Sequence, residues 1–222
     1  MTPAFPLPIS EMFRRGIVGY AKNVVPLTAA AAATFAVYGV FRAAASTRHS
    51  AVGAIVLDLV GLMLAGTVSL PWFAYALDAA RARPVNMLGP LRNGGSFVAQ
   101  LVCSFWFWAA VLLGARYLFG IPSLIAALFY GFYGYVVADR AAKGGLSALG
   151  TSVRLGTKRR VALFAIMTLF IVFNFLAAIP LGYGVTALTV AGTVAAGLVT
   201  SSITVVAWAC LYDALRDCLG EQ

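Results

Sequence analysis

At 222 residues, 62% hydrophobic and only 10% charged, the chain is not an ordinary soluble domain, in which roughly a quarter of the residues carry charge. Its apolar residues come in continuous runs long enough to cross roughly 30 Å of hydrocarbon, which predicts an all-α, polytopic membrane protein; a β-barrel would alternate in polarity residue by residue. A formal net charge of +9 would suggest nucleic acid in a soluble protein, but in a membrane protein it points to anionic lipid and to orientation in the bilayer.

Met1 to Arg15 lacks the basic stretch, apolar core and small-residue cleavage site of a secretory signal, so no cleaved leader is expected. Ile9 to Ala21 reads as an amphipathic surface helix with Ser10 as its N-cap. Ile9, Met12, Phe13, Gly16, Ile17 and Tyr20 recur at helical spacing on one side, and Glu11, Arg14 and Arg15 fall on the other. Such a helix braces the membrane surface or docks a partner protein.

Val24 to Phe41 is predicted as span one and Ala51 to Leu77 as span two. The second is longer than a perpendicular helix needs, so tilt or a kink at Pro71 is expected. Val85 to Gly95 is a second surface segment, with Asn86 placed to cap it, but Gly89, Pro90, Gly94 and Gly95 make it a poor helix. Ser96 to Ala115 is span three. Its run Phe105-Trp106-Phe107-Trp108 covers every side of a helix, and so reads as packing and lipid contact rather than a ligand box. Ile121 to Ala138 is span four, starting on a first-turn Pro122 and carrying Tyr130, Tyr133 and Tyr135 near its exit, as a belt. Leu146 to Gly156 is the third surface helix, with Leu146, Leu149 and Val153 on a face expected to lie among acyl chains. It leads through the basic cluster Lys158-Arg159-Arg160 into span five, Val161 to Leu181. Span six runs from Val185 to about Leu211.

The same plan recurs over residues 9–84, 85–145 and 146–216. Each unit opens on an apolar residue and a capping residue: Ile9-Ser10, Val85-Asn86, Leu146-Ser147. Each closes on an aromatic, an acid and a base: Tyr75, Asp78, Arg81; Tyr135, Asp139, Arg140; Tyr212, Asp213, Arg216. Two spans per unit keep all copies in one orientation, unlike the inverted repeats of many transporters. Sharing one side for the surface segments gathers Arg14, Arg15, Lys22, Arg81, Arg83, Arg92, Arg140, Lys143, Arg154, Lys158, Arg159, Arg160 and Arg216 there. That is 13 of the 16 basic residues; only Arg42, Arg48 and Arg116 remain opposite. The bias assigns the gathered side, with both termini, to the cytoplasm of a plasma (inner) membrane.

Asp58 is the only acid within a predicted span, on the order of 10 Å below the outer surface at about 1.5 Å per residue, and a carboxylate there is costly. It pairs with Arg42, Arg48 or His49, or is protonated; with Asn174, at similar depth in span five, it either lines a small polar pocket or, if the two face different neighbours, each makes a helix-to-helix hydrogen bond. Small residues at Gly53, Gly61, Ala65 and Ser69 in span two, and at Gly192, Ala196, Thr200 and Thr204 in span six, allow close helix approach, within the chain or at a homodimer seam.

No cofactor or metal site is expected. His49 is the only histidine, which excludes a bis-histidine haem, and no zinc ligand set is clustered. Cys103, Cys210 and Cys218 are odd in number, with no CxxC pair, and read as packing groups. No nucleophile elbow or P-loop is present, and Tyr212-Asp213 reads as a helix end at the water boundary rather than an acid–base pair.

Two segments carry a resemblance. Leu146-Ser147-Ala148-Leu149 with Val153, Arg154 and Lys158, and the closing run Ala209-Cys210-Leu211-Tyr212-Asp213-Ala214-Leu215-Arg216, resemble a family of six-span bacterial proteins. That family includes the membrane domain attached to some glycerophosphoryl diester phosphodiesterases. In this chain the acid follows the tyrosine directly and Ala-Leu precedes Arg216, a departure from the family's closing motif. The resemblance implies a six-helix fold without catalysis, the phosphodiesterase chemistry residing in a separate domain.

These readings combine into an expectation of six spans in three hairpins, each led by a cytoplasmic amphipathic helix. The expected function is a non-catalytic subunit or scaffold with a membrane-protein partner. Anionic lipid headgroups would be held by Arg14, Arg15, Arg154, Lys158, Arg159 and Arg160. The alternative is a transporter or lipid-handling protein with a pocket near Asp58 and Asn174.

Overall fold

The structure, a computed structural model, describes residues 7–157 and 159–220. Its helices are α1 (Ile9–Lys22), α2 (Val24–Ser46), α3 (Ala51–Val68), α4 (Leu70–Ala80), α5 (Gly94–Tyr117), α6 (Ile121–Tyr130), α7 (Tyr133–Ala138), α8 (Gly145–Leu155), α9 (Arg160–Phe175) and α10 (Ala187–Gly220). Six helical stretches are long and apolar enough to cross a membrane: Val24–Ser46, Ala51–Ala80, Gly94–Tyr117, Ile121–Ala138, Arg160–Tyr183 and Ala187–Leu219.

Two of the six are interrupted. The second breaks at Ser69, whose hydroxyl donates to the Gly66 carbonyl at 2.7 Å, two residues before Pro71 at the start of α4. The proline ring and its missing N–H end the ladder there. The fourth breaks between α6 and α7, at Gly131 and Phe132. Here a side chain from another element completes the backbone: Ser152 of α8 accepts from the Phe132 N–H at 3.1 Å and donates to the Phe129 carbonyl at 3.0 Å. The fifth tightens into a 3-10 stretch over Leu176–Tyr183 that contains Pro180.

The surface segments differ from their sequence reading in three ways. α1 is N-capped by Pro8, leaving Ser10 inside the helix. The second segment forms no α-helix: between Ala80 and Gly94 the chain makes turns and one 3-10 turn, Pro90–Arg92. Asn86 uses its side-chain oxygen to accept from Leu88 and Gly89 N–H groups, a local turn that competes with helix entry. Thirdly, α8 buries Ala148, Leu149, Ser152 and Leu155 against α5, α6, α7 and α10 and leaves Leu146 exposed. Its apolar face is therefore seated on protein rather than among acyl chains.

α1 is docked in the same way. It lies along α10 because Gly16 and Gly19 present no side chain; a Cβ at Gly16 would stand 2.9 Å from the Ile203 carbonyl oxygen. Phe13 reaches α9, its ring 4.8 Å from that of Phe170 and 5.3 Å from that of Phe173. Ile9, Ile17 and Val18 remain exposed, a second apolar face turned away from the bundle.

The core is gathered at one end. Leu70, Trp72, Tyr75, Ala76 and Leu77 of α4, Tyr133, Tyr135, Val136 and Val137 of α7, and Val206, Ala207, Ala209, Cys210, Leu211, Tyr212 and Leu215 of α10 are buried together, under α1 and α8. The aromatic run of α5 divides: Phe105 and Trp106 face outward at 38% and 54% exposure, whereas Phe107 turns inward, 5.2 Å from the Tyr133 ring.

Candidate functional site where three helix ends meet

α4 and α7 stop in the same way. After each, one non-glycine residue takes the left-handed conformation, Ala82 at φ 52° and Arg140 at φ 55°. The next N–H then reaches back five residues to close the last turn: Arg83 to the Asp78 carbonyl at 2.8 Å, Ala141 to the Val136 carbonyl at 3.0 Å. These are Schellman caps. Each puts the C-cap residue on the inner side of the bundle, and those residues are Arg81 and Asp139.

The two caps pair with one another and with α10. Arg81 Nη1 donates to Asp139 Oδ1 at 2.7 Å, and its Nη2 and Nε donate to the Asp213 carboxylate at 2.6 and 2.9 Å. Arg216 Nη1 donates to Asp139 Oδ2, which the Tyr212 hydroxyl also reaches at 3.1 Å. Tyr212 stacks on Tyr135 with centroids 5.8 Å apart, and the Tyr135 hydroxyl donates to the Val205 carbonyl. Three helices that are distant in sequence are thus clasped by two cations and two carboxylates.

The cluster is mostly withdrawn from water, with side-chain exposures of 16% for Arg81, 13% for Asp139 and 20% for Asp213. The Asp213 hydrogen bonds, against the cost of burial and with help from Asp139, hold the Arg81 guanidinium charged far beyond its usual range. At Asp139 burial opposes ionisation, but the Arg81 hydrogen bond and the Arg81 and Arg216 charges outweigh it, keeping the carboxyl below the ordinary carboxylate range. A cavity of about 220 Å³ opens beside the clasp, and Asp78, Arg81, Asn86, Asn93, Asp139 and Arg140 contribute its polar wall. With every carboxylate of the clasp matched to a cation, its evident chemistry is fixation of the helix ends.

A second polar feature lies where α1 passes the end of α4. Arg14, Arg15, Lys22 and Arg83 line a cavity of about 570 Å³ together with Asn23 and Pro84. Glu11 binds both arginines of α1, at 2.7 Å to each, and their hydrogen bonds hold its carboxyl down at about 2.

The intramembrane candidates are separated. Asp58 is paired with Arg42, at 2.9 and 3.3 Å to its two oxygens, joining α3 to α2. Asn174 donates to Thr204 Oγ1 and to the Phe170 carbonyl, both at 2.8 Å, joining α9 to α10. Asn174 also lines an apolar groove with Phe170, Thr193 and Trp208, and Asp58 is not among the residues of that groove. Each acts as a helix-to-helix link. Of the basic lead-in to span five, Arg154 is exposed, and Arg160 lies over the Phe129 ring with its guanidinium carbon 3.5 Å from the centroid, a cation–π contact. Lys158 lies outside the described residues.

The clasp itself was spelled out in the sequence as the three aromatic–acid–base endings. Reading them as repeat endings, and Tyr212-Asp213 as a helix end at the water boundary, missed that Arg81, Asp139, Asp213 and Arg216 meet. A multi-pass helical membrane architecture, clasped at one end, is what the fold and the site define. No family model, curated protein or solved structure matches the chain.

Proposed function

We propose that the chain is a non-catalytic integral membrane protein of the plasma (inner) membrane, a subunit or scaffold of a membrane complex that binds anionic lipid on its cytoplasmic face. In this reading the spans form three like-oriented hairpins, with α1, the 85–93 segment and α8 at the cytoplasmic boundary. The resemblance to six-span bacterial membrane domains agrees with it. The observation that carries the reading is the segregation of cations along the sequence: 13 of 16 basic residues belong to the segments that this reading assigns to the cytoplasmic boundary. Anionic headgroups at the cytoplasmic leaflet attract each such cation by about 1 kcal/mol. The two intramembrane candidates, by contrast, are each engaged with a neighbouring helix: Asp58 with Arg42 and Asn174 with Thr204. That favours a structural role over transport.

Purification from native membranes in mild detergent tests the reading. A membrane protein that stays bound in constant ratio, together with retained anionic lipid that drops on joint replacement of Lys158, Arg159 and Arg160 by Ala, is the expected result. A chain that purifies alone, with anionic lipid retention unchanged by the triple substitution, would overturn it.

A further inference from the structure

The four cations around the α1–α4 cavity differ from a general basic rim in being built into one place. α1 is held against α10 at Gly16 and Gly19, so Arg14, Arg15 and Lys22 keep a fixed position relative to α4. Arg83 is set by the Schellman cap of α4, whose left-handed residue is an alanine rather than a glycine, at φ 52°. Holding a Cβ-bearing residue there costs energy, and such strain concentrates at functional sites.

The donors are only partly committed. Arg14 gives Nε and Nη2 to Glu11, and Arg15 gives Nε alone, although each guanidinium carries five N–H groups. Among the described residues Lys22 and Arg83 make no ion pair. Of the four lining cations, Glu11 offsets one, leaving three net positive charges. Asn23, between α1 and α2, also lines the cavity, where the N-terminus of α2 meets the C-termini of α1 and α4, so attraction for an anion rests on the side-chain cations and not on helix dipoles.

The cations of α1 stand at two levels, and Arg83 lines the cavity with all of them. Arg14 and Arg15 sit on one turn of α1. Lys22 lies two turns further on, about 10 Å along the helix at about 1.5 Å per residue, and lines the same cavity as Arg83. Val18, exposed on α1, lines the cavity, and Ile17 of α1 and Val25 at the start of α2 are exposed on the same two helices. Clustered cations with a net positive charge beside exposed apolar side chains match an anionic lipid, and the separation of Arg14 and Arg15 from Lys22 along α1 suits a headgroup with two phosphates.

Resting on the reading that the cytoplasmic face binds anionic lipid, we propose that this cavity is a discrete site for a lipid bearing two phosphodiesters on a short linker. One phosphate meets Arg14 and Arg15, the other meets Lys22 and Arg83, and acyl chains lie along Ile17, Val18 and Val25. Basic pockets between helices at the cytoplasmic boundary suit such headgroups, and guanidinium groups bind phosphate oxygens in pairs.

The test is native mass spectrometry of the purified full-length chain titrated with cardiolipin, phosphatidylglycerol or inorganic phosphate. The wild type is expected to retain cardiolipin at least about tenfold better than phosphatidylglycerol and to hold it against excess inorganic phosphate. Joint Lys22→Ala and Arg83→Ala should weaken cardiolipin binding by roughly thirtyfold, at about fivefold per cation, and abolish the preference. Lys22→Arg with Arg83→Lys, which keeps the charge, should retain most of it. Joint Arg159→Ala and Arg160→Ala should lower retention of both lipids equally and leave the preference intact. A wild type without preference, a double alanine variant that keeps it, or displacement of the lipid by inorganic phosphate would overturn the site. If the Arg159/Arg160 variant retains both lipids undiminished while the pocket variant loses its preference, the rim reading fails and the site stands.

Discussion

Arg81 holds two carboxylates from two other helices, and its planar fork is what makes that geometry feasible. Because the three side chains are largely buried, removing the cation takes from Asp213 its hydrogen-bonded partner and leaves Asp139 ion-paired with Arg216 alone. Breaking such a pair costs about 3–5 kcal/mol when fully buried and under about 1 kcal/mol at the surface. Arg81→Leu is therefore expected to destabilise the detergent-solubilised protein by about 2–3 kcal/mol, between those limits, read from thermal or denaturant unfolding. Arg81→Lys should recover less than half of that loss, since one ammonium cannot bridge both acids in the same way. The clasp also carries a pH signature. The folded-state carboxyl of Asp139 is held below its ordinary range, whereas in the unfolded chain it titrates near about 3.9. Its contribution is thus fully present above pH of about 4 and is lost as pH falls through the depressed folded value. Unfolding midpoints should drop below pH of about 4 in the wild type, and Asp139→Asn should start lower and show a shallower drop; parallel curves would contradict the assignment. These residues were visible in the sequence as types, each in an aromatic–acid–base ending. Their meeting was not, because Arg81 lies 58 residues from Asp139 and 132 from Asp213, and local periodicity carries no information about such pairings.

Single polar atoms decide how several elements are shaped. Ser152 is buried beneath the break between α6 and α7 and satisfies both an N–H and a carbonyl that the broken helix leaves open. Ser152→Ala should cost about 1–3 kcal/mol, the penalty for an unpartnered buried backbone group, whereas Thr151→Ala, one position away on the exposed side of α8, should change stability by less than about 0.5 kcal/mol. Equal losses for the two would show that the break is satisfied in another way. The kink of span two was legible because Pro71 forbids a continuous ladder. The break at Gly131 was not, since the apolar run continues through it and the compensating serine comes from another helix. The second surface segment shows the reverse: its glycines and Pro90 announced a poor helix, and the chain forms a turn closed by Asn86. For α1 and α8 the amphipathic pattern located the helices but not their seats. A small-residue or apolar stripe fits protein and lipid equally well, and only the contact of Gly16 with Ile203 and the burial of Ala148 and Leu149 distinguish them.

Across the whole molecule, packing is uneven. The ends of α4 and α7 and the C-terminal half of α10 are buried, clasped and roofed by α1 and α8. The opposite end exposes Tyr117, Phe119, Tyr183, Val185 and Leu188. At about 1.5 Å per residue, the 34-residue α10 is longer than the roughly 30 Å of a hydrocarbon core. On the proposed topology its clasped end emerges into the headgroup layer. That topology puts the clasp, the α1–α4 cavity and Thr157 at one water boundary, and the turn after the 3-10 stretch of span five at the other. Membrane-impermeant thiol labelling of intact cells, in a chain with Cys103, Cys210 and Cys218 changed to serine, measures it directly. Cysteine placed at Tyr183 is predicted to label in intact cells, and cysteine placed at Thr157 only after the membrane is opened. Labelling of the Thr157 position in intact cells, with the Tyr183 position protected, would contradict the account.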